Sequence, residues 1–223
     1  MAFAPDATLP LGGHAVSHSE PGNREKGQQM MNQLDPAKTI EDFIAAVEFL
    51  KTHPATTGKV GVVGFCWGGV MTNTLAVRVP DLACAVPFHG AQPAAADVPK
   101  IKAPLLIHYA GLDERLNKGW PAYEATLKAA GKTYTAYIYE GAQHAFHNDD
   151  DGPRYNKAAA GLAWQRTLDF LNNVLFFYFL PRNRSNRFAV TCWMRQSETP
   201  GKSSPQLQEI VPAPKTHAPL GAW

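Results

Sequence analysis

The stretch Lys59-Val60-Gly61-Val62-Val63-Gly64-Phe65-Cys66-Trp67-Gly68-Gly69 decides how the chain is read. Its first half is a short β-branched run bounded by glycines, and Val70 to Val79 beyond it is compatible with a helix, so the order is strand, tight turn, helix. Gly64 and Gly68 stand two residues before and two after Cys66. A turn that lifts a nucleophile from a strand straight into a helix is so sharp that side chains at those positions would collide with neighbouring backbone. The same turn sets Cys66 at a helix N-terminus, where unpaired N–H groups and the helix dipole favour a thiolate over a thiol. The backbone N–H of Trp67 is then expected to face the place where a carbonyl oxygen becomes negative, as one oxyanion donor. A lone cysteine is more often buried and inert. The strand, both glycines and the helix together point instead to catalysis.

Working outward, Asp35-Pro36 reads as N-cap and first residue of a helix whose apolar stripe is Ile40, Phe43, Ile44, Val47 and Leu50, ending near His53-Pro54. Leu82 to Phe88, Pro104 to Ala110 and Thr133 to Tyr139 read as further strands, and Pro121 to Ala130 as a helix closed by Gly131. Tyr155 to about Asn172 reads as a last helix, with Leu162, Thr167, Leu168 and Leu171 as candidate core positions. Alternating β and α units predict an α/β fold, a mainly parallel sheet flanked by helices. Residues 1 to about 34, rich in Gly, Pro, His, Ser and Gln, read as loop and turn. One catalytic domain is expected over residues 1–172, and an irregular, disordered extension over 173–223, in which Phe188-Ala189-Val190-Thr191 could form one short strand.

A nucleophile in such a turn needs a proton shuttle and an orienting acid, and in this architecture the chain order is nucleophile, acid, histidine. Asp113 lies just beyond the strand Leu105 to Tyr109, on the rim where parallel sheets hold ligands, with Glu114 as rival acid. His144, in Gly141-Ala142-Gln143-His144-Ala145-Phe146, follows the strand Tyr134 to Tyr139, and His147 is its competitor as base. His14, His18, His53 and His217 fall in loop, helix-end or tail contexts. His89 and His108, in or at the ends of strands, read as hydrogen-bonded core or rim imidazoles, Cys84 as core, and Cys192 as tail.

Composition narrows the function class. The chain of 223 residues is 45% hydrophobic and 18% charged, ordinary for a globular domain, and its net charge of +2 includes no Lys/Arg run, so no nucleic-acid partner is expected. Three cysteines without a CxxC pair or His/Cys ligand spacing signal neither a disulfide scaffold nor a metal site, and a reducing cytoplasm is expected. The apolar run Val174 to Leu180 is far shorter than the roughly 20 residues of a membrane helix.

Gly64-Phe65-Cys66-Trp67-Gly68-Gly69, Gly111-Leu112-Asp113 and Gly141-Ala142-Gln143-His144-Ala145-Phe146 resemble the three catalytic motifs of the dienelactone hydrolase family, and Ala2 to Leu171 resembles its C-terminal portion. The resemblance implies an α/β-hydrolase fold and a triad of Cys66 as nucleophile, Asp113 as orienting acid and His144 as base. It also implies small lactones or esters as substrates, and neither a metal nor an organic cofactor. Ala4-Pro5-Asp6 resembles the end of an earlier family strand. The family has several strands before that point, with a loop giving the second oxyanion donor, so the resemblance implies strands missing ahead of Met1. It also implies a chain end soon after a helix like Tyr155 to Leu171, whereas residues 172–223 follow here. Two other readings stand beside this one. A glutaminase-type amidohydrolase shares the G-x-C-x-G turn but needs a late His-x-Glu pair, which does not follow Cys66, and an inactive hydrolase fragment would keep the motifs without the chemistry.

Overall fold

The computed structural model describes residues 1–13, 23–149, 152–176 and 189–191. Six strands form one sheet: β1 (Ala2–Phe3), β2 (Val60–Phe65), β3 (Cys84–Phe88), β4 (Leu105–Ala110), β5 (Tyr134–Tyr139) and β6 (Ala189–Thr191), in the spatial order β1-β6-β2-β3-β4-β5. Every pairing is parallel, as the alternation of β and α units predicts. The helices are α1 (Asn23–Gln33), α2 (Pro36–Thr52), α3 (Trp67–Arg78), α4 (Glu114–Asn117), α5 (Trp120–Ala129) and α6 (Lys157–Phe176). None of the described helices is long and apolar enough to cross a membrane.

The two faces of the sheet carry two cores, separated by the alternation of side chains along each strand. Val60 and Val62 of β2 join Phe43, Val47 and Leu50 of α2, Leu75 of α3 and Leu127 of α5. Val63 and Phe65, one residue out of phase, join Val86, Leu106, Ala163, Leu171 and Leu175 on the α6 face. Every residue of β2 is buried, as its near-continuous apolar sequence requires of a central parallel strand.

Helix α2 starts as the sequence predicts: the Asp35 carboxylate accepts from the N–H groups of Ala37 and Lys38 at 2.9 and 3.1 Å, and Pro36 needs no partner at the first position. It ends at Thr52, with His53 extended ahead of Pro54. Three elements differ from expectation. Helix α1 lies inside the segment read as loop; its sequence, NREKGQQMMNQ, is polar apart from the adjacent Met30 and Met31 yet rich in helix-forming residues, so no apolar period announces it. In α6 the buried stripe is Ala163, Thr167, Leu171 and Leu175, at strict four-residue spacing, and Leu162, a candidate core position, is 48% exposed one residue out of phase.

The third difference is at the end of α6, while the extension holds the short strand anticipated within Phe188 to Thr191. Helix α6 runs to Phe176, past the expected boundary at 172, and β6 inserts between β1 and β2, pairing Val60 with Ala189, Gly61 with Val190 and Val62 with Thr191. Phe188, the first residue of the anticipated short strand, and Cys192 lie outside the described residues, as does the rest of 177–223.

His108 ties the sheet to α6. The Thr167 hydroxyl donates to the Ala163 carbonyl and is left to accept from His108 Nε2–H at 3.1 Å, while the Tyr139 hydroxyl donates to His108 Nδ1 at 2.9 Å. Both ring nitrogens are thus satisfied by neutral groups. Burial, reinforced by the nearby Arg166 charge, pushes the imidazole down to about 3. The unfolded chain takes up a proton at this residue below about 6.5, whereas the folded chain refuses it until about pH 3, so stability is present above that window and is lost as pH falls through it. Unfolding free energy measured by denaturant titration is expected to drop between pH 7 and 5, by at most about 1.4 kcal/mol per pH unit for this residue. His108→Gln should flatten the dependence, and an unchanged slope in that variant would refute the assignment.

Candidate active site

Cys66 follows the last residue of β2 and precedes the first of α3, with φ 52° and ψ −113°. A positive φ is a strained backbone for a residue with a Cβ, and the glycines around it show what holds it. A Cβ on Gly64 would strike the backbone carbonyl of Gly68 and stand 2.5 Å from Thr72 Oγ1. One on Gly69 would meet the Phe88 carbonyl oxygen at 2.5 Å and Gly90 Cα at 2.9 Å. The first turn of α3 therefore lies directly on the ends of β2 and β3. Trp67 begins α3, so its N–H falls outside the helix's own ladder, and its ring packs edge-on against Phe43.

Asp113 sits where β4 gives way to α4, capping that helix through Oδ1, which accepts from Leu116 N–H at 3.4 Å. Asn117 clamps the strand end by donating to the carbonyls of Ala110 and Gly111 at 2.8 and 3.1 Å. The loop after β5 is tied to this one: Gly111 N–H donates to the Tyr139 carbonyl at 2.8 Å and Leu112 N–H to the Ala142 carbonyl at 2.9 Å. The same loop is anchored by the fully buried Phe146 and bends through Ala145 at φ 67°. His144 is thereby held between the other two side chains, its Nδ1 2.6 Å from Asp113 Oδ2 and its Nε2 3.1 Å from Cys66 Sγ. With the carboxylate accepting from Nδ1–H, Nε2 is the nitrogen turned to the thiol. Asp113 is buried, while Cys66 and His144 are half-buried. The rival acid Glu114 is exposed on α4.

His147, the competitor for the base, is placed elsewhere: its ring stacks on Phe65 at 4.1 Å and its Nδ1 is 3.0 Å from His89 Nε2. His89 itself was read as a core or rim imidazole, and it is buried, but it also faces the thiol-bearing turn. The Cys66 amide donates both to the Phe88 carbonyl at 3.1 Å and to His89 Nδ1 at 3.3 Å. Because a backbone N–H can only donate, Nδ1 carries no proton, and Nε2–H donates to His147. Burial holds the His89 imidazole well below its usual value, helped by the neighbouring histidines 147, 144 and 108. Its backbone, at φ 34°, is as unusual as that of Cys66. One signal in the sequence marks it: Phe88-His89-Gly90 ends a parallel strand at the same rim as Asp113 and His144.

Cys84 is a contrast. It is fully buried in the α6-side core, and burial pushes its thiol up to about 12.

Residues 1–175 match the family model described as the dienelactone hydrolase family. A protein of Saccharolobus solfataricus named "Putative carboxymethylenebutenolidase" is 37% identical over 153 residues, covering 68% of this chain and 55% of that one. The carboxymethylenebutenolidase of Pseudomonas putida is 29% identical over 162 residues, covering 71% of this chain and 67% of that one. The chain spans about half to three quarters of the length of the curated relatives it matches. Among solved structures, "Putative Dienelactone Hydrolase" from Klebsiella pneumoniae superposes with a TM-score of 0.61 at 23% identity, over 73% of this chain and 71% of that one, a likeness of fold. With the family model covering all of the described chain from β1 to the last turn of α6, this protein belongs to the dienelactone hydrolase family.

Proposed function

We propose that this chain hydrolyses a small lactone or ester by a Cys66-Asp113-His144 triad. One observation carries the reading: a single imidazole bridges a half-buried thiol and a buried carboxylate, at 3.1 and 2.6 Å. That is the arrangement in which a base accepts a nucleophile's proton while the acid behind it fixes its tautomer and stabilises its charge. The names of the relatives, carboxymethylenebutenolidases and a lactonase, supply the substrate class.

His144 Nε2 takes the thiol proton as Cys66 Sγ attacks the carbonyl carbon. The carbonyl oxygen becomes an oxyanion, toward which the Trp67 N–H is directed in this reading. The C–O bond then breaks, and the leaving alkoxide takes the proton from His144, leaving a thioester on Cys66. In a lactone this opens the ring and keeps the alcohol on the acyl group. A water molecule next gives its proton to His144 and attacks the thioester. Collapse expels the Cys66 thiolate, which takes the proton back from His144, and the product leaves as a carboxylic acid. Acyl transfer and proton transfer balance at each step without an added redox partner. The reading favours a reducing compartment such as the cytoplasm, where a thiol nucleophile persists.

Cys66→Ala, Asp113→Asn and His144→Ala are each expected to lower kcat/KM on a small enol lactone by on the order of 10⁴-fold, and combining them should add little, because triad members act as a unit. His147→Ala should lose less than about tenfold on the same scale. If His147→Ala proves the more damaging of the two histidine variants, the assignment of the base is wrong. Brief iodoacetamide treatment near neutral pH, followed by peptide mapping, should label Cys66 far ahead of Cys84, whose buried thiol stays protonated. Equal or faster labelling of Cys84 would sink the nucleophile assignment.

A further inference from the structure

We propose that Cys66, His89 and His144 form a binding site for a thiophilic divalent cation of the Zn²⁺ class, directly over the reactive thiol. One ligand atom from each of the three residues lies within 4.8 Å of the other two. In a tetrahedral zinc site with Zn–S near 2.3 Å and Zn–N near 2.0–2.1 Å, neighbouring ligand atoms stand roughly 3.3–3.6 Å apart. His144 Nε2 is 3.1 Å from the sulfur, so that pair opens by a few tenths of an ångström, and the third ligand closes in.

Each imidazole has an unprotonated nitrogen close to the Cys66 turn. His144 holds its proton on Nδ1 against Asp113, leaving Nε2 to ligate. His89 holds its proton on Nε2 against His147, leaving Nδ1 on the Cys66 side. Turning Nδ1 to a metal does not orphan the Cys66 amide, which also donates to the Phe88 carbonyl at 3.1 Å. His144 is thus already oriented through its other nitrogen by the carboxylate–histidine arrangement found behind zinc ligands, whereas His89 has to turn Nδ1 from the Cys66 amide to the metal. A thiolate with two imidazoles selects zinc and its neighbours over magnesium or calcium. On binding, the cation replaces the thiol proton, which passes to solvent, and both imidazoles stay neutral. The fourth position remains for water, since Cys66 and His144 are half-buried and not sealed.

That occupation blocks hydrolysis rests on the reading of Cys66 as nucleophile; the binding itself does not. The full chain, reduced and stripped of metal, is titrated with Co²⁺. A 1:1 complex is expected, with a thiolate charge-transfer band in the near ultraviolet and low-symmetry visible bands, both displaced by Zn²⁺ and unaffected by Mg²⁺. Cys66→Ser should abolish the charge-transfer band. His89→Gln, which keeps an acceptor for the Cys66 amide, should weaken zinc at least about tenfold in competition with a chromogenic chelator. X-ray absorption of the zinc-loaded unmodified chain reads the donor set directly, and one sulfur with two imidazoles is expected. A charge-transfer band that survives in Cys66→Ser, or a donor set without two imidazoles, overturns the site. In parallel, Zn²⁺ should stop hydrolysis of a small ester at the same stoichiometry, with recovery on chelation. Metal binding as described in a chain with no hydrolytic activity leaves the site standing and removes the hydrolytic reading. Cys66-dependent hydrolysis without 1:1 metal binding removes the site and leaves that reading intact.

Discussion

The left-handed backbone at Cys66 is the constraint on which the rest of the site depends. A non-glycine residue held at φ 52° costs of the order of 1–3 kcal/mol, and such strain persists only where the surroundings over-determine it. Here they do so from three directions. Strand β2 is buried along its whole length, with Gly61 to Phe65 paired to β3 and Val60 to Val62 paired to β6, so the residue before the turn is held by burial and by its bond partner on β3. Helix α3 is pressed onto the sheet by Leu75 and Ala76, both without solvent exposure. Gly64, Gly69 and Gly90 remove the Cβ atoms that would hold helix and strands apart. A methyl group at Gly64 would lift the helix from the strand, and the thiol, which stands at their junction, would lose its 3.1 Å contact with His144.

Parallel topology does the remaining assembly. Because β2, β3, β4 and β5 all run the same way, the residues that follow them share one rim. Cys66, His89, Asp113 and His144 come from four separate strand ends, and no two are near in sequence. Backbone hydrogen bonds between the loops after β4 and β5 then set the acid and the imidazole in register with each other. The short Asp113–His144 bond is therefore a product of loop geometry, with the side chains following where the backbone has been tied.

How legible this was in the sequence depended on whether the signal was local. The turn around Cys66, the capped start of α2 and the run of buried valines in β2 each follow from a few adjacent residues, and the structure places them where the patterns predict. Helix α1 escaped because it has helix-forming composition without an apolar face. Strand β6 falls within the short stretch Phe188 to Thr191 that the sequence allows as a strand, but its place between β1 and β2 is set by those neighbours and not by its own three residues. Leu162 was misplaced because a helix rotates about 100° per residue, and an apolar residue one step from the stripe looks the same as one on it. His89 is the core or rim imidazole that its strand-end position predicts, but its bond to the Cys66 turn, one strand earlier in the chain, is signalled only by its place on the same rim.

The histidines of this rim show that residue type alone does not assign a role. His108 has both nitrogens bonded to hydroxyls and no exposure, so it is held neutral and joins strand to helix. His89 is equally buried, but one nitrogen meets a backbone N–H and the other a second histidine, so its tautomer is set by the turn at Cys66. His144 differs from both in two respects: its Nδ1 faces a carboxylate, and its side chain keeps a 29% exposure. A carboxylate behind the ring makes a transient imidazolium affordable, and exposure lets a substrate or a water reach the other nitrogen. His147 stands elsewhere, its ring stacked on Phe65 and its Nδ1 bonded to His89. His144 is thus distinguished from its neighbours by what stands on each side of the imidazole, an environment that the chain creates by bringing the β4 and β5 loops together at the end of β2.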